Sequence, residues 1–159
     1  MIFNKQLIDL IGKKLKDRKE SVATAESVTS GLLQAAISNA EGAAQIFQGG
    51  ITAYNIGQKC RHLLVEPLHA MESNCVSERI AIIMSRSASN LFLSDFGIGI
   101  TGYAAPVPEK NVHELFCYYS ISLKEKVLKS GKITAKTEEG FATQIFYVNE
   151  VLKVFSDLI

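Results

Sequence analysis

Short β-branched stretches alternate along this chain with longer segments whose apolar residues recur at helical spacing, and no other feature restricts the fold as much. Residues 3–18 place Phe3, Leu7, Ile8, Leu10, Ile11 and Leu15 at helical spacing, with Lys13, Lys14, Lys16 and Arg18 on the other side. Residues 21–25 read as a buried strand, followed by a helix through Ile37 that Ser27, Thr29 or Ser30 would cap. A second strand over 47–54, with the pair Gly49-Gly50, leads into a short helix over 55–64, and Pro67 and His69 are expected in an irregular connection. Ser77 suits the N-cap of a long helix that carries Ile80, Ile83, Met84 and Ala88 on one face. Residues 96–101 read as a strand, 102–108 as a turn-rich loop, and 115–123 as a strand pairing with 126–133 in a hairpin. Residues 137–158 close the chain as a helix with Phe141, Ile145, Val148, Leu152 and Phe155 inward. The order α-β-α-β-α-α-β-β-β-α predicts a three-layer α/β/α sandwich around a mixed sheet, a single domain over residues 1–159.

At 159 residues, 47% of them hydrophobic, such a domain can bury a core without disulfide or metal staples. Seventeen basic against sixteen acidic residues leave a net charge of +1, so no overall field draws the chain to nucleic acid or anionic membrane. No apolar run approaches the ~20 residues of a membrane helix, and residues 1–6 lack the charged-then-apolar pattern of a secretory leader. Three cysteines, Cys60, Cys75 and Cys117, stand at no metal-ligand spacing and suit reduced thiols, so a cytoplasmic protein is expected.

Several motifs fail on context. Residues 97–102 match G-x-G-x-x-G, but the glycines lie inside a strand, and residues 104–108 cannot open the helix that would meet a pyrophosphate. Close packing of that strand against a helix accounts for them. Tyr54 and Lys59 are five apart, one too many for the stacked Tyr/Lys pair of short-chain dehydrogenases. His62, His69 and His113 fall in separate segments without clustered carboxylates or thiols, so neither metal nor cofactor is expected.

Four segments together resemble the C-terminal domain of the CinA family, known as nicotinamide mononucleotide deamidases. Thr24-Ala25-Glu26-Ser27-Val28-Thr29-Ser30-Gly31 is similar to that family's T-A-E-S-C-T-G-G, and Gly42 through Lys59 to its G-S-S…G-x-x-x-Y-x-N-x-x-K stretch. Cys75-Val76-Ser77-Glu78 resembles G-A-V-S-E. Thr101-Gly102-Tyr103-Ala104-Ala105-Pro106, with Pro108-Glu109-Lys110 after it, resembles T-G-I-A-G-P and its following P-E-K. The resemblance implies an α/β/α fold, homo-oligomers, no metal, and cleavage of a carboxamide to release ammonia. It further implies a serine nucleophile in the G-S-S stretch, a lysine base fifteen residues on and a tyrosine between them. Glu26, Ser27, Thr29, Ser77, Thr101 and Gly102 fall in the matching segments as ligand-binding positions.

The physics of that trio is general. A serine hydroxyl attacks an amide only if a neighbouring base takes its proton, and lysine is such a base only when desolvation keeps its amine neutral. Carried over, the lysine is Lys59 and the tyrosine Tyr54, but the nucleophile position holds Ala44, with Ala43 beside it. Loss of a nucleophile costs a serine hydrolase about a millionfold. The glycine-rich loop departs too: Ala105 replaces a glycine, and Val107 alone separates Pro106 from Pro108, which removes N–H donors. Ser30 replaces the first glycine of T-G-G, and residues 137–142 carry Glu138 and Glu139 where the family has arginines. A catalytically impaired module that binds a nucleotide-like small molecule is therefore expected. The alternative is an active amidohydrolase in which Ser27 or Thr29 works with Lys59.

Overall fold

The computed structural model describes residues 2–136 and 139–159. Helix α1 (Lys5–Arg18) leads into strand β1 (Val22–Glu26), then α2 (Leu32–Ser38), the single turn α3 (Ala43–Ile46) and β2 (Phe47–Thr52). Helices α4 (Ile56–Leu63), α5 (Pro67–Glu72) and α6 (Glu78–Phe92) precede β3 (Phe96–Gly102). A short 3-10 turn (Pro108–Lys110), strands β4 (Leu115–Leu123) and β5 (Lys126–Ala135), and helix α7 (Phe141–Leu158) complete the chain.

The five strands form one sheet in the order β2-β1-β3-β4-β5. β1 runs parallel to both β2 and β3, whereas β3, β4 and β5 are antiparallel neighbours. The expected mixed sheet with helices on both faces is therefore found. One face buries Ile98, Ile100, Tyr119 and Ile121 with Ile8, Ile11 and Leu15 of α1 and Tyr147, Val151 and Phe155 of α7. The other buries Ala23 and Ala25 with Leu63 of α4 and Ile80, Met84 and Ala88 of α6. β1 is buried at every residue, as a strand covered on both faces must be.

Gly97 and Gly99 explain how close α6 comes. A Cβ at Gly97 would stand 1.8 Å from the Ser85 carbonyl oxygen, and one at Gly99 would stand 2.4 Å from that of Ala81. The glycines of the G-x-G-x-x-G run thus serve helix–strand packing, as the sequence implies.

Two local expectations need correction. Residues 67–72 are not irregular: Pro67 occupies the first turn of α5, and the Glu66 carboxylate accepts from the N–H groups of Leu68 and His69. The helix after β1 starts later than expected, at Leu32, and none of the hydroxyls proposed as its cap caps it. The hairpin stands as expected, and the closing helix begins at Phe141. The expected start of that helix at Thr137, and the carboxylate of Glu138, lie outside the described residues. No helix among those described is long and apolar enough to cross a membrane.

Candidate functional site

In an open α/β sheet, ligands gather where the parallel strands end, and here a cleft of about 670 Å³ opens at that edge. Its walls come from the residues after β1, the β2–α4 connection, the turn before α6, the loop after β3 and the start of α7. Ser27, Tyr54, Lys59, Thr101 and Gly102 of the expected site residues line it; Glu26, Thr29, Ala44 and Ser77 do not.

Ser27 is fixed by the sheet. Its N–H donates to the Ile100 carbonyl at 3.1 Å, extending the β1–β3 ladder by one residue, while Ala53 N donates to Glu26 O on the other side. Its hydroxyl lines the cleft with no hydrogen-bond partner among the described residues. Lys59 enters from α4, whose first turn is capped by the Asn55 side chain accepting from Gln58 N. Only 3% of Lys59 is exposed, and its amine has no hydrogen-bond partner among the described residues. Burial pushes that amine below the ordinary lysine range, with the Cys75 thiol acting weakly in the opposite direction. A lysine amine lowered by burial and an unengaged serine hydroxyl, both lining one cleft, are the two groups a Ser–Lys acyl transfer needs.

The turn before α6 supplies the third wall. Asn74 and Cys75 both adopt left-handed backbone, at φ 52° and 60°. Cys75 N donates to Ala70 O at 2.8 Å and its carbonyl accepts from Thr101 Oγ1 at 2.7 Å, so Thr101 reaches the cleft while holding this turn. Burial raises the Cys75 thiol, and Lys59 partly offsets that. Asn74 Nδ2 donates to Tyr103 Oη, and Lys110 Nζ donates to Asn74 Oδ1, tying the turn to the loop after β3. That loop is held from behind by Tyr147 Oη on the Tyr103 carbonyl and by Gly140 N on the Ala104 carbonyl. Gln144 Nε2 donates to Val28 O and closes the side toward α7.

The remaining expected residues have other duties. Glu26 is fully buried, and its carboxylate accepts from Thr29 Oγ1 at 2.5 Å and from the N–H groups of Gly31, Leu33 and Gln34. The backbone donors that a helix start can offer an external anion are thus occupied by the chain's own carboxylate, and the Thr29 hydroxyl is consumed with them. Ser77 caps α6, accepting from Ile80 N and bonding His69 Nε2, and stands outside the cleft lining. Gly102 is required sterically, because a Cβ there would lie 2.4 Å from the Phe116 carbonyl oxygen. Tyr54 stands at the rim, 73% exposed.

Ala44 does not line the cleft of its own chain. It belongs to α3, before the amino end of β2, whereas the cleft lies beyond that strand's carboxyl end. Six extended residues separate the two ends by roughly 20 Å. A side chain at Ala44 in this chain does not face Lys59. Sequence reasoning also missed Asn74, Cys75, Tyr103, Lys110 and Gln144 as cleft residues; Cys75, Tyr103 and Lys110 lie inside the resembling segments, which was the available signal. Among the described residues no three His, Cys, Asp or Glu side chains gather as a metal site requires.

With this geometry in place, comparison with known proteins is informative. Residues 4–139 match the CinA C-terminal domain. Putative competence-damage inducible proteins of two Streptococcus pneumoniae strains, ATCC 700669 and 70585, are each 39% identical over 100 residues, covering 63% of this chain and 24% of theirs. The match thus spans about a quarter of those relatives' length. The fold matches crystal structures of CinA superfamily proteins from Klebsiella pneumoniae (TM-score 0.89, 22% identity, 96% of this chain and 95% of that one) and Enterobacter cloacae (0.89, 23%, 99% and 92%).

Proposed function

The chain belongs to the CinA C-terminal domain family, and from that premise we propose that its cleft hydrolyses the carboxamide of a nucleotide-like small molecule, with Ser27 as nucleophile and Lys59 as base. The observation that carries this reading is the unengaged Ser27 hydroxyl and the buried, unengaged Lys59 amine lining one cleft among the described residues. Lys59 takes the proton as Ser27 Oγ attacks the carbonyl carbon, then returns it to the departing nitrogen, which leaves as ammonia. Water hydrolyses the resulting ester by the same exchange and restores the serine. Tyr54 at the rim and Lys110 on the loop are placed to meet the rest of the ligand. Nicotinamide mononucleotide is the substrate that the family resemblance offers first.

The impaired-module reading keeps one observation in its favour, the loop with Pro106 and Pro108, which offers a ligand few backbone donors. Its other support, Ala44, loses force because that residue is remote from Lys59. The homo-oligomer implied by the resemblance belongs to the same proposal, and the exposed Leu64, Leu68 and Met71 are the apolar surface it would cover.

Incubation of the pure chain with nicotinamide mononucleotide decides between the two readings. Ammonia released in step with nicotinic acid mononucleotide, and lost to background in a folded Ser27→Ala variant, is the expected result; the corresponding loss in a serine hydrolase reaches about a millionfold. Binding without ammonia would leave the impaired module, and turnover unchanged in Ser27→Ala would remove Ser27 from the mechanism.

A further inference from the structure

The same cleft holds a second nucleophile that the proposed hydrolysis leaves idle. We propose that Cys75, which lines the cleft together with Lys59 and is otherwise buried at 3% exposure in the apolar cluster beneath α6, is a covalent modification site reached through that cleft by small anionic soft electrophiles. The turn before α6 presents it: two consecutive left-handed residues turn the backbone, and bonds from Cys75 N to Ala70 O and from Thr101 Oγ1 to Cys75 O fix both sides of its peptide frame. Lys59 supplies the independent support. It is a lysine only 3% exposed, lining the same cleft with no hydrogen-bond partner for its amine among the described residues, and its charge acts on the thiol.

Charge selects the reagent. Among the described residues the cleft lining carries Lys110 and no aspartate or glutamate, and Lys59 becomes cationic as it takes the thiol proton, so an anionic reagent is favoured there over a cationic one. With iodoacetate, Cys75 Sγ attacks the methylene carbon as the C–I bond breaks. Iodide leaves, the thiol proton passes to Lys59 Nζ, and the product is a carboxymethyl thioether whose carboxylate faces the resulting ammonium. The other two thiols, neither of which lines the cleft, serve as references: Cys117 is buried in the sheet as Cys75 is buried under the cleft, and Cys60 is half-buried on α4. Modification closes the cleft to its ligand, whatever reaction the cleft performs.

The test treats the whole chain with iodoacetate or iodoacetamide near neutral pH and follows each cysteine by peptide mass. The expected result is that Cys75 prefers iodoacetate over iodoacetamide by about tenfold or more relative to glutathione, and that Lys59→Met slows its labelling about a hundredfold. Cys60 should show neither effect. A Cys75 that labels no faster than Cys117, or that shows the reagent preference of glutathione, overturns the proposal, and that comparison needs no variant to fold. Equal labelling of Cys75 in a folded Lys59→Met chain overturns it too. Because the readout is mass at a cysteine, failure here is distinct from failure of hydrolysis at Ser27.

Discussion

Lys59→Met should make the protein more stable while removing its base. Lys59 is 3% exposed, and its amine has no hydrogen-bond partner among the described residues. An amine held in a mostly buried side chain with no protein partner is partly desolvated without compensation, which costs up to about 1–3 kcal/mol, and methionine keeps most of the apolar stem without the charge. The expected gain near neutral pH is therefore about 2 kcal/mol, which for a chain of this size raises Tm by about 4–8 °C. The gain has a definite pH dependence. Burial lowers the native amine below the ordinary value of 10.5 that the unfolded chain retains. Between those two values the unfolded chain binds a proton that the native state lacks, so parental stability climbs with pH. Below the lowered value both states are protonated, and the native state bears the full cost of a buried ammonium. The advantage of the methionine variant should thus be largest on the acidic side and shrink as pH climbs toward 10.5. Thermal unfolding of both chains from about pH 6 to about pH 10, followed by circular dichroism, measures this directly. A variant less stable than its parent, or an advantage flat across that range, would refute the reading of Lys59 as an amine desolvated by its burial.

Other outcomes follow from the same structure. Glu26→Gln trades a carboxylate with four donors for an amide with one acceptor oxygen, and should cost about 4 kcal/mol, seen as a urea midpoint lowered by about 2 M. Gly97→Ala drives a Cβ against the Ser85 carbonyl and should cost more than about 3 kcal/mol, visible as a collapse of Tm or of soluble yield. Ala44→Ser changes a residue far from the cleft, so it should shift stability by less than about 0.5 kcal/mol and leave ammonia release untouched. Turnover multiplied by that serine would return the nucleophile to position 44.

Much of the architecture is legible because its signals are local. Ser77 before an apolar helical stripe announces the start of α6, and two short runs of aromatic, aliphatic and β-branched residues on either side of Lys124-Glu125 announce β4 and β5. Gly97 and Gly99 inside an apolar strand indicate a close helix, which α6 is. Helix α5 escapes this reading because Pro67 resembles a breaker, although proline at a first helical turn, after a Glu66 side chain able to cap, is a start signal.

The site is harder to read, because its geometry is set by partners distant in the chain. Motif spacing places Ala44 with Tyr54 and Lys59, but β2 is extended and carries the chain along the full length of the sheet between them. Ser27 is 32 positions from Lys59, yet β1 lies between β2 and β3, so the residue after β1 opens on the cleft that Lys59 enters from the far side.

What the sequence determined by itself was periodicity, caps and the packing glycines, since each depends on neighbours within a turn or a strand. Only the tertiary structure decided that the Glu26 carboxylate fills its own helix's donors, that Ala44 is remote, and that Ser27, Cys75 and Lys59 share one opening. The physical reason is that burial and hydrogen-bond partnership at the cleft are created by segments from across the sheet, and no local pattern records which segments those will be.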